Sequence, residues 1–208
     1  MTGRGALIVM EGIDRSGKST QCKMLVNALS KAKSMKFPDR TTATGNKIDQ
    51  YLQRKLELDD NEIHNLYSKN RWEKEKAMLD DLEKGITLVV DRYAYSGVAY
   101  TGAKPGFDLD KCKEPDVGLP QPDLVFFLDL KVNTAANREA FGGERYEQTD
   151  FQKKVYANFL KLKSKEWQVI DASRSIEEVN HDILNSVNNI LGKVEKKPIG
   201  KLWAKNKI

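Results

Sequence analysis

Ala6-Leu7-Ile8-Val9-Met10-Glu11-Gly12-Ile13-Asp14-Arg15-Ser16-Gly17-Lys18-Ser19 is the stretch that decides the fold of this 208-residue chain. Its first five residues are apolar without alternation, as in a strand buried on both faces. Gly12 to Ser19 then fit G-x-x-x-x-G-K-[ST]. Glycines at these positions let backbone N–H groups turn inward around phosphate oxygens, and the helix that follows aims its positive dipole end at them. Lys18 reaches the β- and γ-phosphates of a nucleoside triphosphate, and the Ser19 hydroxyl ligates Mg²⁺. A chance match in a chain of this composition is about one in a hundred, and the position between strand and helix lowers it further. Gly12, Asp14, Arg15, Ser16, Gly17, Lys18, Ser19 and Thr20 are therefore the expected triphosphate-binding residues.

Outward from the loop, short apolar runs alternate with longer amphipathic ones, the βαβα pattern of a parallel sheet covered by helices. Strands are expected at Ala6–Met10, Met35–Phe37, Thr87–Asp91, Leu124–Leu130 and Gln168–Asp171. The first helix carries Cys22, Leu25, Val26 and Leu29 at i, i+3, i+4 and i+7, a stripe facing the sheet. Further helices are expected near 46–57, 61–84, 133–141, 147–165 and 176–191, the last opened by a Ser175/Glu178 capping box. Residues 102–123 hold four of the six prolines and read as loop with one short helix. The expectation is one α/β domain with a five-stranded parallel sheet and helices on both faces.

Composition excludes several classes. With 39% hydrophobic and 31% charged residues the chain is neither disordered nor collagenous. Its longest apolar runs are five residues, where a membrane-spanning helix needs about 20, and no secretory signal is expected. Two cysteines build no disulfide framework, which makes a reducing, cytoplasmic setting the default, with nuclear or mitochondrial pools left open. Two histidines make no His-rich metal site, and no G-x-S-x-G supports a hydrolase triad. The net charge of +5 resides in residues 193–208, which carry six lysines and one glutamate. The body is neutral, so neither a nucleic-acid nor a membrane partner is expected. Asn46-Lys47-Ile48-Asp49 spells a guanine-reading motif but lies too early, inside a helical pattern.

Other residues bear on the second substrate. Asp14 sits beside triphosphate, so it is expected to point away, toward a neutral hydroxyl. Arg15 is a fork of donors that can follow charge on a transferring phosphoryl group. Arg40 and Arg92 end the second and third strands, and ligands in such sheets bind outside the strands' C-terminal ends. Three arginines exceed what a triphosphate with Lys18 and Mg²⁺ requires, so a second phosphate-bearing substrate is expected. Asp91 can hold water around Mg²⁺, or cap the helix starting at Tyr93, or both.

Glu11–Gln21, Asn70-Arg71-Trp72-Glu73, Asp91–Lys104, Pro115–Pro120, Phe141–Glu147, Asp171-Ala172-Ser173 and Lys197–Trp203 together closely resemble eukaryotic thymidylate kinases. The resemblance implies a P-loop nucleoside monophosphate kinase fold with a lid. It implies Mg-dependent transfer of the γ-phosphoryl of ATP to thymidine monophosphate (dTMP), giving ADP and dTDP for dTTP synthesis, by a homodimer. By that likeness Arg15, Lys18, Asp91 and Arg92 are catalytic. Asp14 accepts from the deoxyribose 3′-hydroxyl, and Arg40 and Arg92 grip the acceptor phosphate. Tyr67 stacks on thymine, Arg71 donates to its carbonyl, and Phe37, Ser96, Gly97, Tyr100 and Tyr146 line base and sugar. Arg138, Ser173 and Arg174 border adenine. The parts of the single domain 1–208 would be the phosphate loop 12–19, an acceptor region of about 38–104, a lid of about 134–147 hinged at Gly142-Gly143, and the tail 193–208. Tyr67, Tyr95 and Tyr100 stand where the family usually has Phe, and Asp39 where it often has Glu.

Without the family, the nearest alternative is a deoxynucleoside kinase using Asp91 or Glu11 as base. A nucleotide-binding regulatory module and a nucleic-acid-binding protein acting through the tail are the others.

Overall fold

The computed structural model describes residues 3–138 and 142–204. Residues 139–141 of the expected lid and 205–208 of the tail lie outside the described residues. Strands β1 (Leu7–Glu11), β2 (Ala32–Lys36), β3 (Thr87–Asp91), β4 (Leu124–Asp129) and β5 (Gln168–Asp171) form an all-parallel sheet in the order β2-β3-β1-β4-β5. β1 lies at the centre. Its Leu7 to Met10 align with Leu88 to Asp91 on one side, and Ile8 to Glu11 with Leu124 to Phe127 on the other.

Parallel neighbours need right-handed crossovers. The first, from β1 to β2 through α1 (Lys18–Ala28), runs one way along the sheet, and all later ones run the other way. The rule therefore puts α1 on one face and the later crossovers on the other. Accordingly α1 packs with α8 (Ile176–Val194), while α3 (Asp60–Glu83), α4 (Ala94–Thr101) and α7 (Thr149–Leu162) pack in series. The shorter elements are α2 (Ala43–Leu52), α5 (Leu109–Lys113), a 3₁₀ turn at Glu114–Asp116 and α6 (Val132–Ala136).

Leu7–Met10 and Leu88–Val90 are wholly inaccessible, as the apolar runs required. The two sheet edges depart from that pattern. β2 begins at Ala32 rather than Met35 and ends before Phe37, and its Lys33, Ser34 and Lys36 are exposed. An edge strand has one uncovered flank and tolerates charges that hide it from a search for apolar runs. Caps move the helix ends. Thr42 accepts from the Gly45 N–H and starts α2 at Ala43, not 46, and α2 stops at Leu52 rather than 57. Asp59 and Glu62 form a capping box on α3, and Ser175 and Glu178 form the expected one on α8. The helices expected at 133–141 and 147–165 shorten to Val132–Ala136 and Thr149–Leu162.

Beside the main core, Ile48, Tyr51, Leu52, Ile63 and Tyr146 make a smaller hydrophobic cluster between α2, α3 and the segment before α7. Among the described residues no helix is long and apolar enough to cross a membrane.

Candidate active site

The C-terminal ends of β1, β2 and β3 open into a cavity of about 500 Å³, within the usual range for small-molecule sites. On one wall is the phosphate loop. Gly12 has φ 147°, and a Cβ there would meet Ser16 Oγ at 2.8 Å and the Leu128 carbonyl at 2.9 Å, so glycine is required. Gly17, at φ 98°, precedes α1 without a side-chain cap, leaving the helix's first N–H groups to serve an anion. Lys18 folds back, its Nζ donating to the Ile13 carbonyl at 2.7 Å and to Ser16 Oγ at 3.2 Å. Burial, reinforced by the Arg92 cation and opposed by Asp91, Asp14 and Glu11, lowers its pKa to about 7.

Ser19 Oγ donates to Asp91 Oδ2. Asp91 Oδ1 is buried with no hydrogen-bond partner among the described residues. A hydroxyl beside a carboxylate with an unused oxygen is a donor set suited to a hydrated Mg²⁺, which keeps several of its waters. Among the described residues no group of three His, Cys, Asp or Glu side chains could hold a metal on its own.

Asp91 does not cap α4, one of the two roles its sequence neighbours allowed. Glu11, fully buried at the end of β1, takes that role from across the sheet. Its Oε1 accepts the N–H groups of Tyr93 at 2.9 Å and Ser96 at 3.1 Å, and its Oε2 accepts from Ser96 Oγ. Burial pushes the Glu11 carboxyl up, and the bonds from Ser96 and Tyr93 and the charge of Arg92 only partly counter it.

Arg92, Arg15 and Arg40 each face a carboxylate. Arg92, at φ 66°, pairs through Nη2 with Asp14 Oδ1, and its Nη1 donates to the Gly12 carbonyl at 3.2 Å and Ser96 Oγ at 3.3 Å. Burial works against this cation, and the oxygens of Tyr100, Asp14, Asp91 and Glu11 more than restore it. Arg15, at φ 62°, meets Glu147 Oε1 through Nε at 3.1 Å and Nη2 at 3.0 Å. Arg40 bridges Asp49 at 2.6 Å and Glu144 at 2.7 Å. Two non-glycine residues in the left-handed region at one site are a local strain of the kind that gathers where function is performed. Asp14 departs from expectation, since its first partner is the Arg92 guanidinium. Its other oxygen accepts from the Tyr100 hydroxyl at 2.9 Å and Gln152 Nε2 at 2.7 Å. Burial would raise its pKa, but Arg92 and Lys18, with those two bonds, hold it below the ordinary value.

Four aromatic rings also line the cavity, Phe37, Tyr67, Tyr100 and Tyr146. Tyr146 stacks on Phe151 at 5.0 Å and donates to the Tyr51 hydroxyl at 3.2 Å. Tyr67 is half-buried against the small cluster and also lines the cavity, so it is both core and wall. Arg71 is 2% exposed and gripped by fully buried Asp116, Nε to Oδ1 at 3.0 Å and Nη2 to Oδ2 at 2.6 Å. That grip leaves the Nη1 edge for another acceptor. A Cβ on Gly97 would come within 2.8 Å of Arg71 Nη2, so glycine there leaves room for the guanidinium.

Of the expected residues, Asp14, Arg15, Gly17, Lys18, Ser19, Thr20, Arg40, Asp91, Arg92, Ser96 and Arg138 also line this cavity. Gly12 and Ser16 support the loop without lining it. Ser173 and Arg174 do not line it either. Ser173 bonds Asp171 Oδ1 at 2.6 Å, and Arg174 pairs with Asp182. Arg138 reaches that corner, donating to the carbonyls of Arg15 at 2.6 Å and Ala172 at 3.2 Å. Sequence reasoning missed the partners that hold the arginines. Asp116 and Glu147 stood in the quoted runs as carboxylates with no task, and Glu144 stood beside them. Gln152 carried no signal at all.

A family model described as thymidylate kinase matches residues 10–183. Thymidylate kinase of Danio rerio is 54% identical over 96% of this chain and 98% of its own, and that of Homo sapiens 49% identical over the same shares. A solved structure of thymidylate kinase from Candida albicans superposes with a TM-score of 0.90 at 36% identity, covering 97% of this chain and 99% of that one. Matched across nearly its whole length in sequence and in fold, and carrying a phosphate loop beside a cluster of arginines, the chain belongs to the thymidylate kinase family.

Proposed function

We propose that this cavity is where the chain moves the γ-phosphoryl group of ATP onto dTMP, giving ADP and dTDP for dTTP synthesis. One observation carries the reading. Lys18, Arg15, Arg40 and Arg92 line a single cavity together with four aromatic rings, more cationic charge than one triphosphate needs. ATP takes the phosphate loop, 12–19, with Arg138 at the adenine side and Ser173 and Arg174 behind it. Arg40 and Arg92 hold the acceptor phosphate. Tyr67 stacks on thymine, and the Nη1 edge of Arg71 donates to its carbonyl. Phe37, Ser96, Gly97 and Tyr100 enclose base and sugar, Tyr146 closes the sugar's 2′ side, and Asp14 takes the 3′-hydroxyl.

The acceptor phosphate is largely dianionic at pH 7, its second pKa being about 6, so it attacks without a general base. The protein's work is to position two polyanions and offset their repulsion. Lys18 follows the β- and γ-phosphates, and Arg15 follows the charge on the departing phosphoryl group. Mg²⁺, held through Ser19 and a water on Asp91 Oδ1, would neutralise phosphate charge when bound. Segment 134–147 serves as the lid that excludes water. Glu11 is consumed in capping α4, which removes one of the two bases, Asp91 or Glu11, open to the nucleoside-kinase alternative. One kinase domain, 1–208, with an acceptor region of 38–104 and a tail of 193–208, contains all of this.

Family likeness supports a homodimer, and so do Trp72 and Val117, apolar side chains exposed to 38% and 43%. Sedimentation of the purified chain tests it. The buried free cysteines Cys22 and Cys112 fit a cytoplasmic protein. The deciding experiment is a coupled ADP-release assay across nucleoside monophosphates and thymidine. Comparable efficiency with AMP or GMP, or preference for thymidine over dTMP, would end the reading.

A further inference from the structure

Gln152 lies in the first turn of α7 and is fully buried, although it is neither charged nor apolar. A buried amide persists only when its donors and acceptor are used, and here they are spent on two places. Its Oε1 accepts the backbone N–H of Asp14 at 3.1 Å, and its Nε2 donates to Asp14 Oδ2 at 2.7 Å and to the Tyr146 carbonyl at 2.9 Å. One side chain thus grips both the main chain and the carboxylate of a phosphate-loop residue, and ties them to the residue that closes the sugar side.

The Asp14 carboxylate has about four lone-pair sites. Arg92 takes one on Oδ1, and Tyr100 and Gln152 take two on Oδ2, which leaves one. From this we infer that Gln152 is a positioning residue for acceptor selection: it sets the Asp14 carboxylate so that its one remaining lone pair meets the acceptor's 3′-hydroxyl. The inference rests on the assignment of Asp14 to that hydroxyl. Without Gln152 the carboxylate is free to turn about its own side chain toward Arg92, and the loop N–H of Asp14 loses its acceptor.

The test compares kcat/KM for dTMP with that for its 3′-deoxy analogue. The wild-type protein is expected to favour the hydroxyl by about 10–100-fold, the usual worth of one hydrogen bond to a charged group. Gln152→Met keeps the volume and removes every hydrogen bond. Efficiency with dTMP should fall about tenfold and with the deoxy analogue by no more than about twofold, so the preference shrinks about fivefold or more. An equal loss with both acceptors would make Gln152 a strut of the fold and overturn the inference, as would no loss with either. If Gln152→Met does not fold by its melting curve, Gln152→Glu retains an acceptor for the Asp14 N–H but replaces the donor to the Asp14 carboxylate and the Tyr146 carbonyl with a second carboxylate, with the same outcomes expected. Asp14→Asn separates the two layers. If it erases the preference while Gln152→Met retains it, the inference about Gln152 falls alone. If Asp14→Asn leaves the preference intact, or the wild-type protein shows none, the assignment of Asp14 falls and takes the inference with it.

Discussion

The phosphate loop, Gly12 to Ser19, and the segment Gly142 to Glu147 face one cavity and are held in place by different means. In the loop the turn itself is set locally, with Lys18 Nζ returning to a carbonyl five residues back and Gly17 leading directly into α1, and remote bonds from Gln152 and Arg92 only fasten it further. The segment also folds a turn of its own, with Glu147 Oε2 accepting the N–H groups of Gly142, Gly143 and Glu144 at 3.0, 2.9 and 3.2 Å. Beyond that turn it is pinned by distant partners. Glu144 holds Arg40, 104 residues away, Glu147 holds Arg15, 132 away, and Arg145 donates to the Tyr51 carbonyl, 94 away, at 2.9 Å. The loop presents N–H groups that are oriented before any anion arrives. The segment's carboxylates occupy the same cations that phosphates would use. On the proposed assignment one region is preorganised, and the other has to exchange partners for polyanions to enter.

The sharpest test of that contrast is Lys18→Ala, which removes a point charge and no apolar core contact. Turnover should fall by about 10³-fold or more with the fold kept. Steady-state kinetics with a circular dichroism control would check this, and retention of a tenth of kcat would break it. Arg15→Gly comes next, since glycine accepts φ 62° without strain and only the fork is lost. We expect kcat to fall about 10²-fold and KM for dTMP to change little, because Arg40 and Arg92 remain. A large rise in KM with kcat preserved would make Arg15 a ground-state clamp.

The pH dependence of stability probes the same lysine. Its native pKa is about 7, and its unfolded value is about 10.4. Between those values the unfolded chain holds a proton that the native protein has released, so this group makes stability rise with pH across that window. The slope is at most about 1.4 kcal/mol per unit. Denaturant unfolding of the ligand-free protein at pH 7, 8 and 9 should show the rise, and Lys18→Met should flatten it. A slope unchanged in the variant would place the effect elsewhere.

Glu144→Gln should give the smallest effect. The Arg40–Glu144 pair is over a third exposed on both sides, and such pairs contribute about 0.2–1 kcal/mol. Removing the competing carboxylate should lower KM for dTMP about two- to fivefold and leave kcat within twofold. An unchanged or raised KM would mean that the segment does not compete with the acceptor phosphate.

The buried strands and the loop were legible because the restraint there is written in neighbouring letters. Thr87–Asp91 and Gln168–Asp171 came out to the residue, and α1 opened at Lys18 as the loop requires. The edge strand β2 was found late, because Lys33, Ser34 and Lys36 sit on a flank that needs no apolar side chain. Arg40 and Arg92 could be brought to one place from strand ends alone, since parallel strands deliver their C-termini to one edge. Asp91 was read with two roles because its neighbours in sequence allowed both. The cap belongs instead to Glu11, whose partners Tyr93 and Ser96 are 82 and 85 residues away.

By itself, then, the amino-acid sequence determined the parallel α/β sheet, the phosphate loop and the family, since each depends on periodicity or on contiguous residues. Tertiary structure alone decided which carboxylate faces which cation: Asp14 on Arg92, Glu147 on Arg15, Glu144 on Arg40, Asp116 on Arg71. An acid carries no mark in the chain of the base it will meet. That choice is made when crossovers and helix packing bring remote segments within about 3 Å, where burial penalises any charge left without a partner.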